Sequence, residues 1–239
     1  MNTIVIDIGG TNVKLWRAGA TEKFKIPSGK TLGPHDLVDQ VREWLAGAAC
    51  ERVSIGYPGD VRHGRPVKDP YNLGPGWIDF DFDHAFACPV RVMNDACMQA
   101  LGSYEGGRML YLGLGTSVGT TFVADRNSIL PLALGHLTVV NGKRLDETLG
   151  RPALKARGAT KWSADVTIAA DVLRAAFMPD YIVLGGGNAK KVRTLPPGCR
   201  RGGNFNAFIG GLRMWEDAVH LESAAQDKPL LLRLKTGAS

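Results

Sequence analysis

The sequence predicts an α/β protein built from two similar halves. Apolar strand-like runs alternate along the chain with helix-like runs, the pattern of layered α/β folds. Two hairpins of the same design, TIVIDIGGTNVKLWRAG and MLYLGLGTSVGTTFVAD, stand about a hundred residues apart, which suggests a duplicated unit. Glycine is abundant, at 30 of 239 residues, and that number suggests many tight turns or close backbone approaches.

Taken in order, residues 3–8 and 12–17 read as two strands around a Gly-Gly turn. Residues 35–49 place Leu37, Val38, Val41, Trp44, Leu45 and Ala48 on one helical face. RVSIGYPGDV is a strand entering a Gly-Pro loop, and the chain from Asp60 to Trp77 is loop-rich. PVRVMND is a short strand, and ACMQALGSYE is helical. After the second hairpin, residues 163–177 form an amphipathic helix stopped before Pro179. YIVLGGG is a buried strand opening into three glycines. NAFIGGLRMWEDAVHL reads as the last helix, interrupted by Gly-Gly.

The bulk composition is 44% hydrophobic and 22% charged, ordinary for one large or two small domains. The formal charge of +6 favours anionic partners such as nucleotides, polyphosphate, sugar phosphates or nucleic acid. Four scattered cysteines, Cys50, Cys88, Cys97 and Cys199, show no paired spacing and read as free thiols in a reducing compartment. The chain has no leader-like start and no apolar run long enough to span a bilayer, so a cytoplasmic protein is expected.

Three glycine turns carry the chemistry. In DIGGTNVK, bare glycines let a ligand approach the backbone, and their N–H groups can cradle phosphate oxygens. Thr11 adds a hydroxyl and Lys14 a cation. Asp7 ends a strand, a place suited to holding hydrated Mg²⁺. The same residues also fit a plain type I′ hairpin whose aspartate satisfies local N–H groups. The turn matches neither the P-loop nor the dinucleotide fingerprint. LGLGTSVGTT (112–121) is the second such turn, so the two look like facing phosphate clamps. LGGGNAKK (184–191) is the third, suited to a nucleotide base or ribose, or to tight packing of strand on helix.

The combination resembles the ROK group of sugar kinases, within the actin-like and hexokinase-like ATPase fold. DIGGTNVK, GYPGDV, NLGPGW, VMNDA, LGLGTSVGT, LGHL and IVLGGG occur in the family's order, from Ile4 to about Trp215. The compact form looks most like the polyphosphate/ATP glucokinase branch. The resemblance implies two actin-like, RNase H-like domains with a central cleft: residues 1–98 with the sugar-side residues and the base, and residues 99–239 binding the donor. The segment after residue 215 is expected to pack back on the first domain. Asp95 would be the base that takes a sugar hydroxyl's proton. Asn72, Asn94 and His136 would bind the sugar. The donor, ATP or polyphosphate, would lie between Gly9, Gly10, Thr11 and Lys14 on one side and Gly115 and Thr116 on the other. Gly185, Gly186 and Gly187 would face a nucleotide, and Mg²⁺ would sit at Asp7. Without the resemblance, Asn94-Asp95 reads first as a helix N-cap, and both roles can hold together.

Two positions depart from the family pattern. The glutamate expected three residues before His136 is Ala133, and one expected two residues after it is Thr138. A hydroxyl left unpaired costs about 1–3 kcal/mol, so the preferred sugar need not be glucose. A sugar or nucleotide sensor of the same fold and a kinase for a non-sugar hydroxyl are the alternatives. The aspartates of DFDFDHAF (79–86) suit a short exposed strand or a helix entry better than a metal site. Lys190, Lys191, Arg193, Arg200 and Arg201 form a basic cluster, read either as solvated surface or as a track for a polyanionic donor. Repressor members of the group begin with a helix-turn-helix, and the strand starting near residue 3 leaves no DNA role expected. A homodimer would follow the family's habit.

Overall fold

The computed structural model describes residues 2–125, 128–203 and 205–216. The first sheet has the order β3-β2-β1-β4-β7: β1 (Thr3–Ile8), β2 (Asn12–Arg17), β3 (Phe24–Pro27), β4 (Arg52–Tyr57) and β7 (Val90–Asn94). The second has the order β10-β9-β8-β13-β14: β8 (Met109–Leu114), β9 (Val118–Asp125), β10 (Ser128–Leu132), β13 (Tyr181–Gly185) and β14 (Cys199–Arg201). Each sheet is an antiparallel three-strand meander extended by two parallel strands. The repeat in the sequence is therefore a repeat of topology. Small two-stranded ribbons, β5 (Val61–Arg62) with β6 (Arg65–Pro66) and β11 (Thr138–Val140) with β12 (Lys143–Arg144), decorate the loops.

Helix α1 (Pro34–Leu45) covers the first sheet. Pro34 opens it, and the Asp36 carboxylate accepts the Gly33 N–H at 2.9 Å. Leu37, Val38, Val41 and Leu45 are buried as the spacing predicts, while Trp44 is half-buried and stacks on Phe24. The helix ends four residues before the sequence reading because Ala46 turns left-handed (φ 49°) and Gly47 follows at φ 82°. Helix α2 (Phe82–Phe86) is the short helix of DFDFDHAF, with Asp81 capping the His84 N–H at 2.9 Å.

Helix α3 (Asp95–Ser103) lies between the sheets. Cys97, Met98 and Leu101 pack with Val5, Trp16 and Met93 of the first body, while Ala96, Ala100 and Tyr104 pack on Met109, Tyr111 and Val123 of the second. On the second sheet, α4 (Leu145–Leu149) leads into α5 (Arg151–Phe177), whose Trp162, Val166, Ala169 and Leu173 fill the core. Only the second half of α5 is legible as a helix in the sequence. Gly158 (φ 72°, ψ 159°) breaks the helix and resets its phase.

Helix α6 (Asn206–Arg213) crosses back to the first sheet. Its Gly-Gly pair looks like a weakness in sequence, since each glycine costs up to about 1 kcal/mol of helix propensity. In the fold both positions are contact points. A Cβ on Gly210 would enter the Met98 carbonyl, and one on Gly211 would strike Val5. Opposite, a Cβ on Gly102 of α3 would enter the Asn206 carbonyl. The Ser54 hydroxyl then donates to the Gly211 carbonyl at 2.6 Å, and the Trp215 indole N–H donates to Ser54 Oγ at 2.7 Å. The chain beyond residue 216, where the sequence suggests a return onto the first domain, lies outside the described residues.

Gly102→Ala is expected to lower stability by about 1–3 kcal/mol, because two backbones would have to separate. Gly29→Ala, with open space at its Cα, should stay within about 0.5 kcal/mol. Urea denaturation midpoints of the two variants check this.

Candidate active site

The parallel strands β1, β4 and β7 all end at one edge of the first sheet, and in open α/β sheets ligands bind at such carboxyl ends. Asp7 pairs in register with Gly56, and Gly56 with Met93, so Asp7 and the residues leading to Asp95 flank a bare glycine. Met98 fills the space beside Gly56: a Cβ there would displace the Met98 methyl and lie 3.5 Å from Asp95 Cα.

Asp7 is buried (2% exposed), and its Oδ2 accepts from Lys14 Nζ at 2.6 Å. The two are direct cross-strand partners. The turn between them is braced from β3. Ser28 Oγ donates to the Gly9 carbonyl at 2.7 Å, Ser28 N–H donates to the Thr11 carbonyl, and Gly9 N–H donates to the Asn12 carbonyl. The exposed N–H groups of Gly10 and Thr11 take no part in the turn's own bonds. The Asn72 side chain lies directly against Gly10, in space that a Cβ would occupy.

Asn94 is the N-cap of α3. Its Oδ1 accepts from Ala96 N–H at 3.0 Å and Cys97 N–H at 3.2 Å, and its Nδ2 donates to the Gly59 carbonyl at 2.9 Å. An amide side chain has two acceptor and two donor positions, so one N–H is left for a ligand. Asp95 follows at the first helical position, partly buried, its Oδ1 accepting from Ala96 N–H at 2.8 Å. Burial pushes its carboxyl up to about 7, and the nearby Asp7 carboxylate pushes the same way. A carboxyl poised near neutrality is what general base chemistry requires.

The second glycine turn is braced differently. Asp146 accepts the Val118 N–H at 2.7 Å, and Arg151 N–H, at the start of α5, donates to the Gly115 carbonyl at 3.0 Å. The third turn closes on it, with Asn188 Nδ2 donating to the Gly115 carbonyl at 2.9 Å. Packing alone demands two of its glycines. Gly185 lies against the Tyr111 hydroxyl, and Gly186 (φ 77°) sits where a Cβ would be 2.6 Å from the Leu114 carbonyl oxygen. Gly187 is exposed, with open space at its Cα.

The first sheet thus gathers Asp7, Gly9, Gly10, Thr11, Lys14, Asn72, Asn94 and Asp95 at one end, and the second gathers Gly115, Thr116 and Gly185–Gly187. His136 stands apart on a 3-10 turn, exposed, with Ala133 and Thr138 exposed beside it. Of the basic cluster, Arg200 pairs with Glu105 over the Tyr181 ring, and Arg201 donates to the Val192 carbonyl at 2.8 Å. Two braces escaped the sequence reading. Ser28 is brought to the turn only by the register of β3, and Asp146 only by the packing of α4, and neither sits in a motif. No helix among the described residues is long and apolar enough to cross a membrane.

The architecture is that of the actin-like two-domain kinases, with a hairpin-and-crossover unit used twice. Within that class the chain is similar to ROK-family sugar kinases and to polyphosphate glucokinases. It is 24% identical over 210 residues to polyphosphate glucokinase of Mycobacterium tuberculosis (strain CDC 1551 / Oshkosh), covering 78% of this chain and 77% of the relative. The inorganic polyphosphate/ATP-glucomannokinase of Arthrobacter sp. strain KM superposes with a TM-score of 0.72 at 25% identity, covering 88% of this chain and 96% of that one. A ROK family glucokinase from Streptomyces griseus, solved with glucose and AMPPNP, gives a TM-score of 0.65 at 20% identity over 88% and 98% of the two chains. No protein-family model matches the chain.

Asp95 should titrate near pH 7 by carbon-detected NMR of its carboxyl, and Asp7→Asn should lower that midpoint by removing a like charge. A native value raised above the unfolded one means stability is lost as pH climbs from about 4 to about 7. Asp95→Asn should therefore raise Tm at pH 8, with the gain shrinking steadily and vanishing below pH 4.

Proposed function

We propose that this chain is a phosphotransferase that moves a phosphoryl group from ATP or polyphosphate to a hydroxyl of a hexose-like sugar. The observation that carries this reading is the pairing of two unlike carboxylates at one strand edge. Asp7 is buried and held by Lys14 beside a glycine turn, and Asp95 is poised near neutrality on the N-terminus of α3.

Asp95 accepts the proton of the attacking hydroxyl. The terminal P–O bond of the donor breaks as the bond to the sugar oxygen forms, and the shortened donor leaves as the anion. Gly10 and Thr11 N–H groups, Lys14 and the Gly115-Thr116 turn hold the donor. Gly187 is the member of the third turn with room for a nucleotide. Asn72 and the remaining N–H of Asn94 orient the sugar, so the first body serves the acceptor while the glycine turns of both bodies hold the donor. His136 reaches the sugar only if the two bodies close, which also excludes water as a competing acceptor.

A divalent cation fits the donor set. Asp7 is a buried hard-oxygen ligand whose second oxygen is not used by Lys14, and one carboxylate with phosphate oxygens and water suits Mg²⁺. Bound there, Mg²⁺ would supply neutralisation of the phosphates' charge. The exposed Ala133 and Thr138 carry no carboxylate for sugar hydroxyls, which favours an acceptor other than glucose. The sensor reading is not favoured, since Asp7, Lys14 and Asp95 are all in place.

A panel of hexoses, amino sugars and other alcohols, each with ATP or polyphosphate, tests the proposal by phosphoryl transfer. With the best acceptor, Asp95→Ala should lower kcat about 10²–10⁴-fold with little change in donor KM. Full activity in that variant would assign the base elsewhere. In the parent protein, kcat/KM should rise as pH climbs through about 7 and then level, because Asp95 must be ionised to accept the proton.

A further inference from the structure

The row of charges that begins at Asp7 does not stop at Lys14. Lys25 of β3 is the direct register partner of Lys14 of β2, which is itself the partner of Asp7 of β1. Residues in register share a face, so Asp7, Lys14 and Lys25 form a line across three strands on the side that carries Val5, Trp16 and α6. Lys23 precedes them on the edge, its ammonium 4.9 Å from the Phe205 ring and 5.3 Å from that of Phe208. Burial, then the charges of Lys14 and Lys25, draw the Lys23 pKa down against the pull of the Asp7 carboxylate, so Lys23 lies within electrostatic reach of all three.

Like charges directly opposite on neighbouring strands are destabilising. Asp7 pairs with Lys14 and acts at longer range on Lys23. Lys25 is exposed and makes no ion pair among the described residues. Strand spacing of about 4.7–4.9 Å places the Lys25 backbone roughly 10 Å from that of Asp7, well beyond a single phosphoryl group held at the glycine turn. Such a row suits an anion with charges repeated along its length.

We propose that Lys14, Lys25 and Lys23 form a track that carries the distal phosphoryl groups of an inorganic polyphosphate across the edge of the first sheet, leading its terminal group to Asp7 and Asp95. This rests on the phosphotransferase reading and deepens it by placing the extended donor on the first body. In the basic cluster of the second body Arg200 and Arg201 are engaged by Glu105 and the Val192 carbonyl, and Lys190 and Lys191 serve as the rival surface in the test.

The test measures binding of long-chain inorganic polyphosphate and of tripolyphosphate to the full chain across a salt series, alongside sugar phosphorylation with polyphosphate and with ATP. Lys25→Glu should weaken long-chain binding about tenfold or more and flatten its salt dependence, with a much smaller effect on tripolyphosphate. Lys25→Gln should raise the ligand-free Tm by relieving the repulsion with Lys14, while the added stabilisation by long-chain polyphosphate falls; this shows that the variant folds. Equal losses for both chain lengths, or no loss, would overturn the track. A loss produced instead by Lys190→Glu/Lys191→Glu would overturn it too. Sugar phosphorylation with ATP but no binding of polyphosphate would sink the track and leave the kinase reading standing. Lys25-dependent polyphosphate binding without turnover on any acceptor would do the reverse.

Discussion

Helix α3 is the constraint on which the rest of the molecule depends. Two sheets of the same topology need a common element to hold them, and α3 presents one apolar face to each. Its contact with α6 is backbone against backbone, made possible by Gly102 on one helix and Gly210 on the other. That leaves little freedom to slide or rotate. The helix begins at Asp95, so the packing that joins the two bodies also sets where the carboxyl sits. The Asn94 cap completes this by tying the helix start to the Gly59 carbonyl in the loop after β4. A residue placed by two cores and a cap is preorganised before any ligand arrives.

The same end of the sheet holds several arrangements that oppose stability. Two carboxyls lie within electrostatic reach of each other, and one of them is raised toward neutrality. Two lysines face each other across a strand pair. A glycine sits in the middle of a buried strand between Asp7 and Asp95. The two like-charge pairs do not serve the fold and become favourable when a polyanion, a cation and a hydroxyl share the space, whereas the glycine also makes room for Met98. Sites of local conflict in an otherwise consistent structure are where function is expected. The second sheet shows the contrast. At the register position of Asp7 it has Gly113, and its turn is tied down by Asp146, Arg151 and Asn188. The duplicated unit carries its carboxylates in one copy only.

Much of the architecture was legible. Both glycine hairpins, the strands ending in Tyr57, Asn94 and Gly185, helices α1 and α3 and the second half of α5 follow from periodicity and punctuation. So did the candidate chemistry, because short polar motifs at strand ends are local in sequence. What escaped was non-local. The first half of α5 is hidden by the break at Gly158. The Gly-Gly of α6 reads as a flaw until Met98 and Val5 are seen against it. Ser28 and Lys25 lie in a run that shows no periodicity of its own, and only the pairing of β3 with β2 brings one to the Gly9 turn and the other opposite Lys14.

By itself, the sequence determined the duplicated α/β plan, the three glycine turns and the identity of the polar residues within them, because strand alternation, helix spacing and turn chemistry are properties of neighbours along the chain. Only the tertiary structure decided which of those residues meet. It set Asp7 against Lys14, spent most of the Asn94 amide on a cap, gave Gly185 and Gly186 to packing, and left His136 on the exposed surface of the other body. The reason is that strand register and helix docking are settled by cores assembled from distant segments, and a shift of one residue in either would carry a side chain to the opposite face.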